Sequence, residues 1–97
     1  MKKIAILAAL KSEFVPSGNF RESIFYTGVG KVNATRTTTH VILEEKPDLV
    51  INVGTAGALL ESISGIHLVN QVIEHDMNAE PLAPRGTVPY DDAKGVF

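Results

Sequence analysis

The sequence contains no cysteine and no tryptophan, and only 6% of its 97 residues are aromatic. Without cysteine the chain can form neither a disulfide framework nor a zinc–thiolate site. The chain also has no large excess of charge of one sign. It contains 9 lysines and arginines and 11 aspartates and glutamates, which gives a net charge of −2. This balance argues against a nucleic-acid-binding protein and against a basic membrane-surface module.

Long hydrophobic runs are absent as well. The apolar run near the N-terminus, residues 4–10, is followed by Lys11 and Glu13. It is far shorter than the roughly 18 apolar residues that a membrane helix needs. It also lacks the small-residue cleavage site of a signal peptide. We therefore expect a cytoplasmic globular protein without a bound metal.

The hydrophobic pattern predicts an α/β protein. Short apolar or β-branched runs predict strands at residues 3–9, 23–27, 49–54 and 66–73. Residues 31–46 predict a helix that ends at Pro47. Its core-facing side is expected to comprise Val32, Thr35, Thr39, Ile42 and Leu43. From residue 75 onward prolines and a glycine interrupt a segment without periodicity, typical of a loop.

The order strand–turn–helix–strand favours a mainly parallel sheet. A single long helix cannot cover both faces of a sheet made of four apolar strands. We therefore expect residues 1–97 to be the N-terminal portion of a single larger domain, apparently truncated.

Several polar or small residues follow the predicted strands, where open α/β sheets bind ligands. Glu13 follows the first strand, and a carboxylate there can act as a general base, although a solvated glutamate is the simpler interpretation. Asn52 interrupts an apolar strand, and a buried amide at this position would need hydrogen-bond partners. Thr55, Ala56 and Gly57 form a small-residue turn that either admits a flat ligand or is simply a tight turn.

The turn Gly28-Val29-Gly30-Lys31 resembles a phosphate-binding loop only superficially. A Walker loop would need glycine at Phe25 and a hydroxyl at Val32, and a dinucleotide fingerprint would need glycine at Asn33. The three histidines, His40, His67 and His75, show no metal-ligand spacing. We therefore expect neither ATP, NAD nor a metal at these positions.

Three segments together resemble one family. Residues 1–13 are similar to its opening strand and glutamate, residues 27–34 to its Gly-hydrophobic-Gly-Lys turn, and residues 47–58 to its third signature. The family is the nucleoside phosphorylase superfamily, and the likeness is greatest to its 5′-methylthioadenosine/S-adenosylhomocysteine nucleosidase branch. The resemblance covers about residues 1–78.

The resemblance implies a three-layer α/β/α fold with a mainly parallel or mixed central sheet. It implies hydrolysis of the N-glycosidic bond of a purine nucleoside, with release of adenine and a modified ribose, as in methionine salvage. It further implies a cytoplasmic homodimer that acts on a small molecule without a metal. We expect no cofactor, and the charge balance and short apolar runs already predict neither a nucleic-acid nor a membrane partner.

The resemblance also implies roles for individual residues. Glu13 corresponds to the catalytic glutamate that orients and deprotonates water. The implied substrate-binding residues are Leu10 near the ribose, Val29 near the 5′-substituent, Thr55 near the water and ribose, and Ala56 and Gly57 lining the purine pocket. The family's acid that protonates the purine is not among these residues.

Asn52 bears on the choice between hydrolysis and phosphorolysis. Phosphorylase relatives commonly carry a phosphate-binding arginine at this strand position, and a neutral amide cannot make the charge-assisted bidentate contact that phosphate favours. Asn52 therefore favours water as the nucleophile. A phosphate-dependent phosphorylase, a futalosine-type hydrolase and a non-catalytic nucleoside-binding fragment remain the alternatives.

Overall fold

The computed structural model describes residues 2–18 and 23–90. Its regular elements are β1 (Ile4–Ala8), β2 (Ile24–Tyr26), α1 (Lys31–Glu45) and β3 (Leu49–Asn52). The chain divides into two compact units, Met1–Gly57 and Ala58–Phe97. All four elements belong to the first unit, which also carries the candidate catalytic glutamate.

The strands form a parallel sheet in the order β2-β1-β3. Ile6 on β1 is the register partner of Ile24 on β2 and of Ile51 on β3. The continuous apolar run of β1 fits its central position, because residues 5–8 are all buried. The prediction of a parallel α/β sheet is confirmed for these three strands, although each is shorter than predicted.

The hydrophobic core lies between α1 and one face of the sheet. Ala5 and Leu7 on β1 form a cluster with Val41 on α1, and Phe25 and Val50 from the outer strands pack against it. These strand residues alternate with residues of the opposite face, as the pleat requires. One buried valine thus joins the helix to the central strand.

The predicted core-facing side of α1 is wrong. Val32 is 83% exposed, Leu43 is 65% exposed and Ile42 is 47% exposed, and the two threonines at positions 35 and 39 are also exposed. The more protected positions are instead 33, 34, 37, 38, 41 and 45, at helical spacing. Small or β-branched side chains occupy four of these positions, namely Ala34, Thr37, Thr38 and Val41.

The end of α1 is fixed by backbone geometry and by the start of β1. Lys46 adopts a left-handed conformation (φ 49°, ψ 54°), and its N–H donates to the Ile42 carbonyl. Pro47 follows, as predicted. The Lys3 N–H then donates to Asp48 Oδ2 at 2.6 Å, and Lys3 Nζ lies 3.0 Å from Glu45 Oε2. These contacts set the entry of the chain into β3.

Residues 58–90, all described, contain neither helix nor strand. The predicted strand at 66–73 is therefore wrong, and Ile66 and Leu68 are almost fully exposed. Within the described residues no strand pairs with this segment, and alternation alone supplies no ladder hydrogen bonds. Local turns occur in this unit, as where the Leu82 N–H donates to the Ala79 carbonyl at 2.8 Å. No helix within residues 2–18 and 23–90 is long and apolar enough to cross a membrane.

Replacing Val41 with alanine tests the contact between helix and sheet. We expect Val41→Ala to lower the free energy of unfolding by roughly 2 kcal/mol, because it deletes buried methyl groups and leaves a cavity. The matched control is Val32→Ala, the same change at a position of the same helix that is 83% exposed. It should stay within about 0.5 kcal/mol of the parent. Urea unfolding measures both, and equal effects of the two changes would contradict this account of the core.

Candidate active site

The candidate residues lie at one edge of the sheet. Because β1, β2 and β3 run parallel, their carboxyl ends meet at the same edge. Glu13 lies in the segment after β1, Val29 after β2, and Thr55 after β3. The topology therefore brings residues that are distant in sequence to a common place.

Glu13 is held by hydrogen bonds to both of its carboxylate oxygens. Thr55, 42 residues further along the chain, donates to Oε2 through its backbone N–H and through Oγ1, each at 2.8 Å. The Leu10 N–H donates to Oε1 at 3.2 Å. A β-carbon added to Gly54 would lie 3.5 Å from Oε2, so the chain before Thr55 passes close to the same oxygen. We call Glu13 with its two donor residues, Leu10 and Thr55, the carboxylate clamp.

Tyr26 of β2 contacts residues of the segment that carries Glu13. The Glu13 N–H donates to the Leu10 carbonyl at 3.1 Å, which closes a turn directly after β1. Tyr26 Oη donates to the Phe14 carbonyl at 2.8 Å, and Lys11 Nζ lies 6.0 Å above the Tyr26 ring. Residues on both sides of Glu13 thus contact one aromatic side chain of β2.

The sequence analysis missed the role of Tyr26. Tyr26 is paired with Ala8 in the parallel register, so its hydroxyl reaches the turn that follows the central strand. The presence of a polar-tipped aromatic residue at the carboxyl end of a strand was the available signal.

The hydrogen bonds of the carboxylate clamp stabilise the charged form of Glu13. They lower the pKa of Glu13 from its ordinary value of 4.5; the Thr55 backbone N–H is the largest cause, followed by the Thr55 hydroxyl. The smaller effect of burial opposes them, and the Leu10 N–H contributes in the same direction as Thr55. Glu13 is therefore an ionised hydrogen-bond acceptor at neutral pH, the state that a base needs.

A glycine turn places Val29 after β2. The ladder between β1 and its neighbour continues past the strand, because the Thr27 N–H donates to the Ala8 carbonyl and the Gly28 N–H to the Ala9 carbonyl. Gly28 then adopts a positive φ of 83°. Asn33 Nδ2, from the first turn of α1, donates back to the Val29 carbonyl at 2.8 Å. The Val29 side chain, 65% exposed, is left available for contact.

The structure places the other predicted site residues at the same edge of the sheet. The Leu10 side chain is 45% exposed, and the residue reaches Glu13 through its backbone. Ala56 and Gly57 are exposed and follow Thr55. Asn52 ends β3 and is exposed, so the expectation of a buried amide is wrong; β3 is an edge strand here.

No metal-binding group is found in the described part of the chain. Residues 2–18 and 23–90 contain no cluster of three or more histidine, aspartate or glutamate side chains placed to hold a metal ion. Nε2 of His67 lies 2.9 Å from the Ser64 carbonyl, a local contact within its own segment.

Comparison with protein families identifies the fold. The model of the phosphorylase superfamily matches residues 9–95, a range that includes Glu13, the glycine turn and Thr55. The chain belongs to the phosphorylase superfamily. Its parallel sheet with one packed helix is consistent with part of that fold.

Several curated proteins resemble the chain over part of its length. A 5′-methylthioadenosine/S-adenosylhomocysteine nucleosidase of Staphylococcus haemolyticus is 51% identical over 55 residues, which are 55% of this chain and 24% of that protein. The protein of the same name from Staphylococcus epidermidis is 44% identical over 69 residues, which are 68% of this chain and 30% of the relative. The matched region is thus about a quarter to three tenths of these relatives' length. No solved structure matches the chain.

Replacing Gly28 with alanine tests the turn that presents Val29. A β-carbon at Gly28 would lie 3.4 Å from Asn33 Nδ2, and φ is positive there. We expect Gly28→Ala to lower the free energy of unfolding by about 1–2 kcal/mol because of the left-handed backbone. Gly57→Ala is the control, since nothing lies within 4 Å of its added β-carbon and its φ is outside the positive region. A Gly28→Ala protein as stable as Gly57→Ala would contradict the strained turn.

The carboxylate clamp predicts a pH dependence of stability. The folded-state pKa of Glu13 is lowered. Its stabilising contribution is therefore present above the unfolded-state pKa and is lost as pH falls through the folded value. The difference in unfolding free energy between the parent and Glu13→Gln should be constant near neutral pH and should shrink as pH falls below about 4.5.

Urea unfolding between pH 3 and pH 7 measures this difference. Glu44→Gln, an exposed carboxylate on α1 outside the clamp, measures the effect of removing one surface charge. A difference for Glu13→Gln that grows on acidification would show that the clamp does not favour the ionised form.

Proposed function

We propose that the protein takes part in hydrolysing the N-glycosidic bond of a purine nucleoside of the 5′-methylthioadenosine or S-adenosylhomocysteine type, releasing adenine and a modified ribose. The observation that carries the proposal is the carboxylate clamp: an ionised glutamate held at the carboxyl edge of a parallel sheet. Curated relatives named for this activity, 44–51% identical over the matched residues, support the same conclusion.

Glu13 is proposed as the base that orients and deprotonates the attacking water. The bond from C1′ of the ribose to the purine nitrogen breaks, and the water oxygen then forms a bond to the oxocarbenium-like C1′. The water proton passes to the Glu13 carboxylate, and the electron pair of the broken bond stays on the purine. An acid must protonate the purine to make it a good leaving group. That acid is assigned to none of the described residues.

The remaining candidate residues are proposed to bind the substrate. Val29 offers an exposed apolar side chain to the 5′-substituent, and Leu10 offers one near the ribose. Ala56 and Gly57 offer a backbone without bulky side chains, which a flat purine can approach. Asn52 is the proposed determinant of the nucleophile, because a neutral amide favours water over a phosphate dianion. The proposed setting is a cytoplasmic homodimer that acts in methionine salvage.

Chromatography of 5′-methylthioadenosine incubated with the protein tests this function. Adenine should be released at the same rate with and without phosphate. Release that needs phosphate would identify a phosphorylase and overturn the proposed role of Asn52. Tight binding of the nucleoside without release of adenine would identify a binding protein. Release of a base from futalosine but not from 5′-methylthioadenosine would identify a futalosine-type hydrolase.

The role of Glu13 is tested by Glu13→Gln, which keeps the side-chain length and removes the base. We expect kcat to fall by about 10²–10⁴-fold, the usual contribution of a general base. Glu44→Gln removes an exposed carboxylate from α1 and should leave the rate unchanged. An active Glu13→Gln protein would exclude Glu13 as the base.

A further inference from the structure

Thr55 uses both of its hydrogen-bond donors on a single oxygen. Its backbone N–H and its hydroxyl each lie 2.8 Å from Glu13 Oε2. A hydroxyl has one proton to donate, and in Thr55 that proton is directed to Glu13. A ligand that reaches the Thr55 hydroxyl can therefore only donate to it, so Thr55 cannot serve as a hydroxyl donor to the substrate while the carboxylate clamp is closed.

The two oxygens of Glu13 are consequently not equivalent. Each carboxylate oxygen has two lone-pair directions. The two Thr55 donors occupy both directions of Oε2, whereas Oε1 accepts only the longer 3.2 Å bond from the Leu10 N–H. Among the contacts of the described residues, Oε1 is the oxygen that keeps an open lone pair.

We propose that the Thr55 hydroxyl is a positioning residue that fixes the Glu13 carboxylate so that Oε1 accepts the proton of the attacking water. This inference rests on the proposed function, because it concerns the same base. Without the hydroxyl, each carboxylate oxygen would keep one backbone donor, the Thr55 N–H on Oε2 and the more distant Leu10 N–H on Oε1. The hydroxyl adds a second short bond to Oε2 and so restricts rotation of the carboxylate about its terminal bond further.

Two variants test the Thr55 hydroxyl separately from the backbone. Thr55→Val keeps the side-chain shape and the backbone N–H but removes the hydroxyl, and Thr55→Ser keeps the hydroxyl but removes the methyl group. Thr39→Val makes the same change at an exposed position of α1. The Glu13 titration is followed by NMR of ¹³C-labelled glutamate carboxyl groups, with the Glu13→Gln spectrum assigning the signal. Circular dichroism confirms folding, and Thr55→Ala replaces Thr55→Val if valine is not accommodated.

We expect the Glu13 pKa to rise in Thr55→Val and to stay near the parent in Thr55→Ser and Thr39→Val. The value of kcat for adenine release should fall by roughly 10–100-fold in Thr55→Val, as for a misplaced catalytic group, with KM little changed. The acidic limb of the pH–rate profile should move in the same direction as the titration. Thr55→Ser should recover most of the rate.

Two results would overturn the inference. One is a Glu13 titration in Thr55→Val that coincides with the parent. The other is a Thr55→Ser protein that behaves like Thr55→Val, which would make the methyl group rather than the hydroxyl responsible. If the parent releases no base from any nucleoside while Thr55→Val still shifts the Glu13 titration, the proposed function fails and the hydroxyl's hold on the carboxylate stands.

Discussion

The parallel pairing of β1 with a neighbour on each side is the constraint on which the rest of the first unit depends. It buries residues 5–8 and leaves one face of β1 to pack against Val41 of α1. It also makes the segments after all three strands emerge at the same edge. The proximity of Glu13 and Thr55 across 42 residues follows from this topology rather than from local sequence.

The carboxylate clamp in turn connects the segments that follow β1 and β3 at that edge. Thr55 belongs to the segment after β3, Leu10 to the segment after β1, and Tyr26 of β2 holds the neighbouring Phe14 carbonyl. All three strands therefore contribute to the placement of one carboxylate. A group placed by several elements loses little orientational freedom when a ligand arrives, which is the advantage of a preorganised site.

The sequence predicted those parts of the structure that depend on chain-local rules. Short apolar or β-branched runs indicated the three strands, Pro47 marked the end of α1, and the position of Glu13 after the first strand predicted that it lies at the carboxyl edge of the sheet. The core-facing side of α1 could not be predicted from hydrophobicity, because Val32 and Leu43 are exposed while threonines and an alanine are more protected from solvent. The run at 66–73 has the alternation of a strand, but strand formation needs a partner that no local pattern specifies. Glu13 and Thr55 were each identified, yet their hydrogen bonds depend on tertiary geometry.

The lowered pKa of Glu13 limits how the proposed hydrolysis can proceed. Any carboxylate is too weak a base to remove a proton from free water to a useful extent, and donors that stabilise its charged form make it weaker still. Water becomes acidic once its oxygen begins to bond to a positively charged C1′. Glycoside hydrolysis passes through an oxocarbenium-like transition state of this kind. In the proposed hydrolysis, proton transfer to Glu13 would therefore follow departure of the purine, and the ionised carboxylate would first stabilise the ribosyl cation electrostatically. The carboxylate clamp suits that order of events, because a weak, fixed and fully charged base serves both steps.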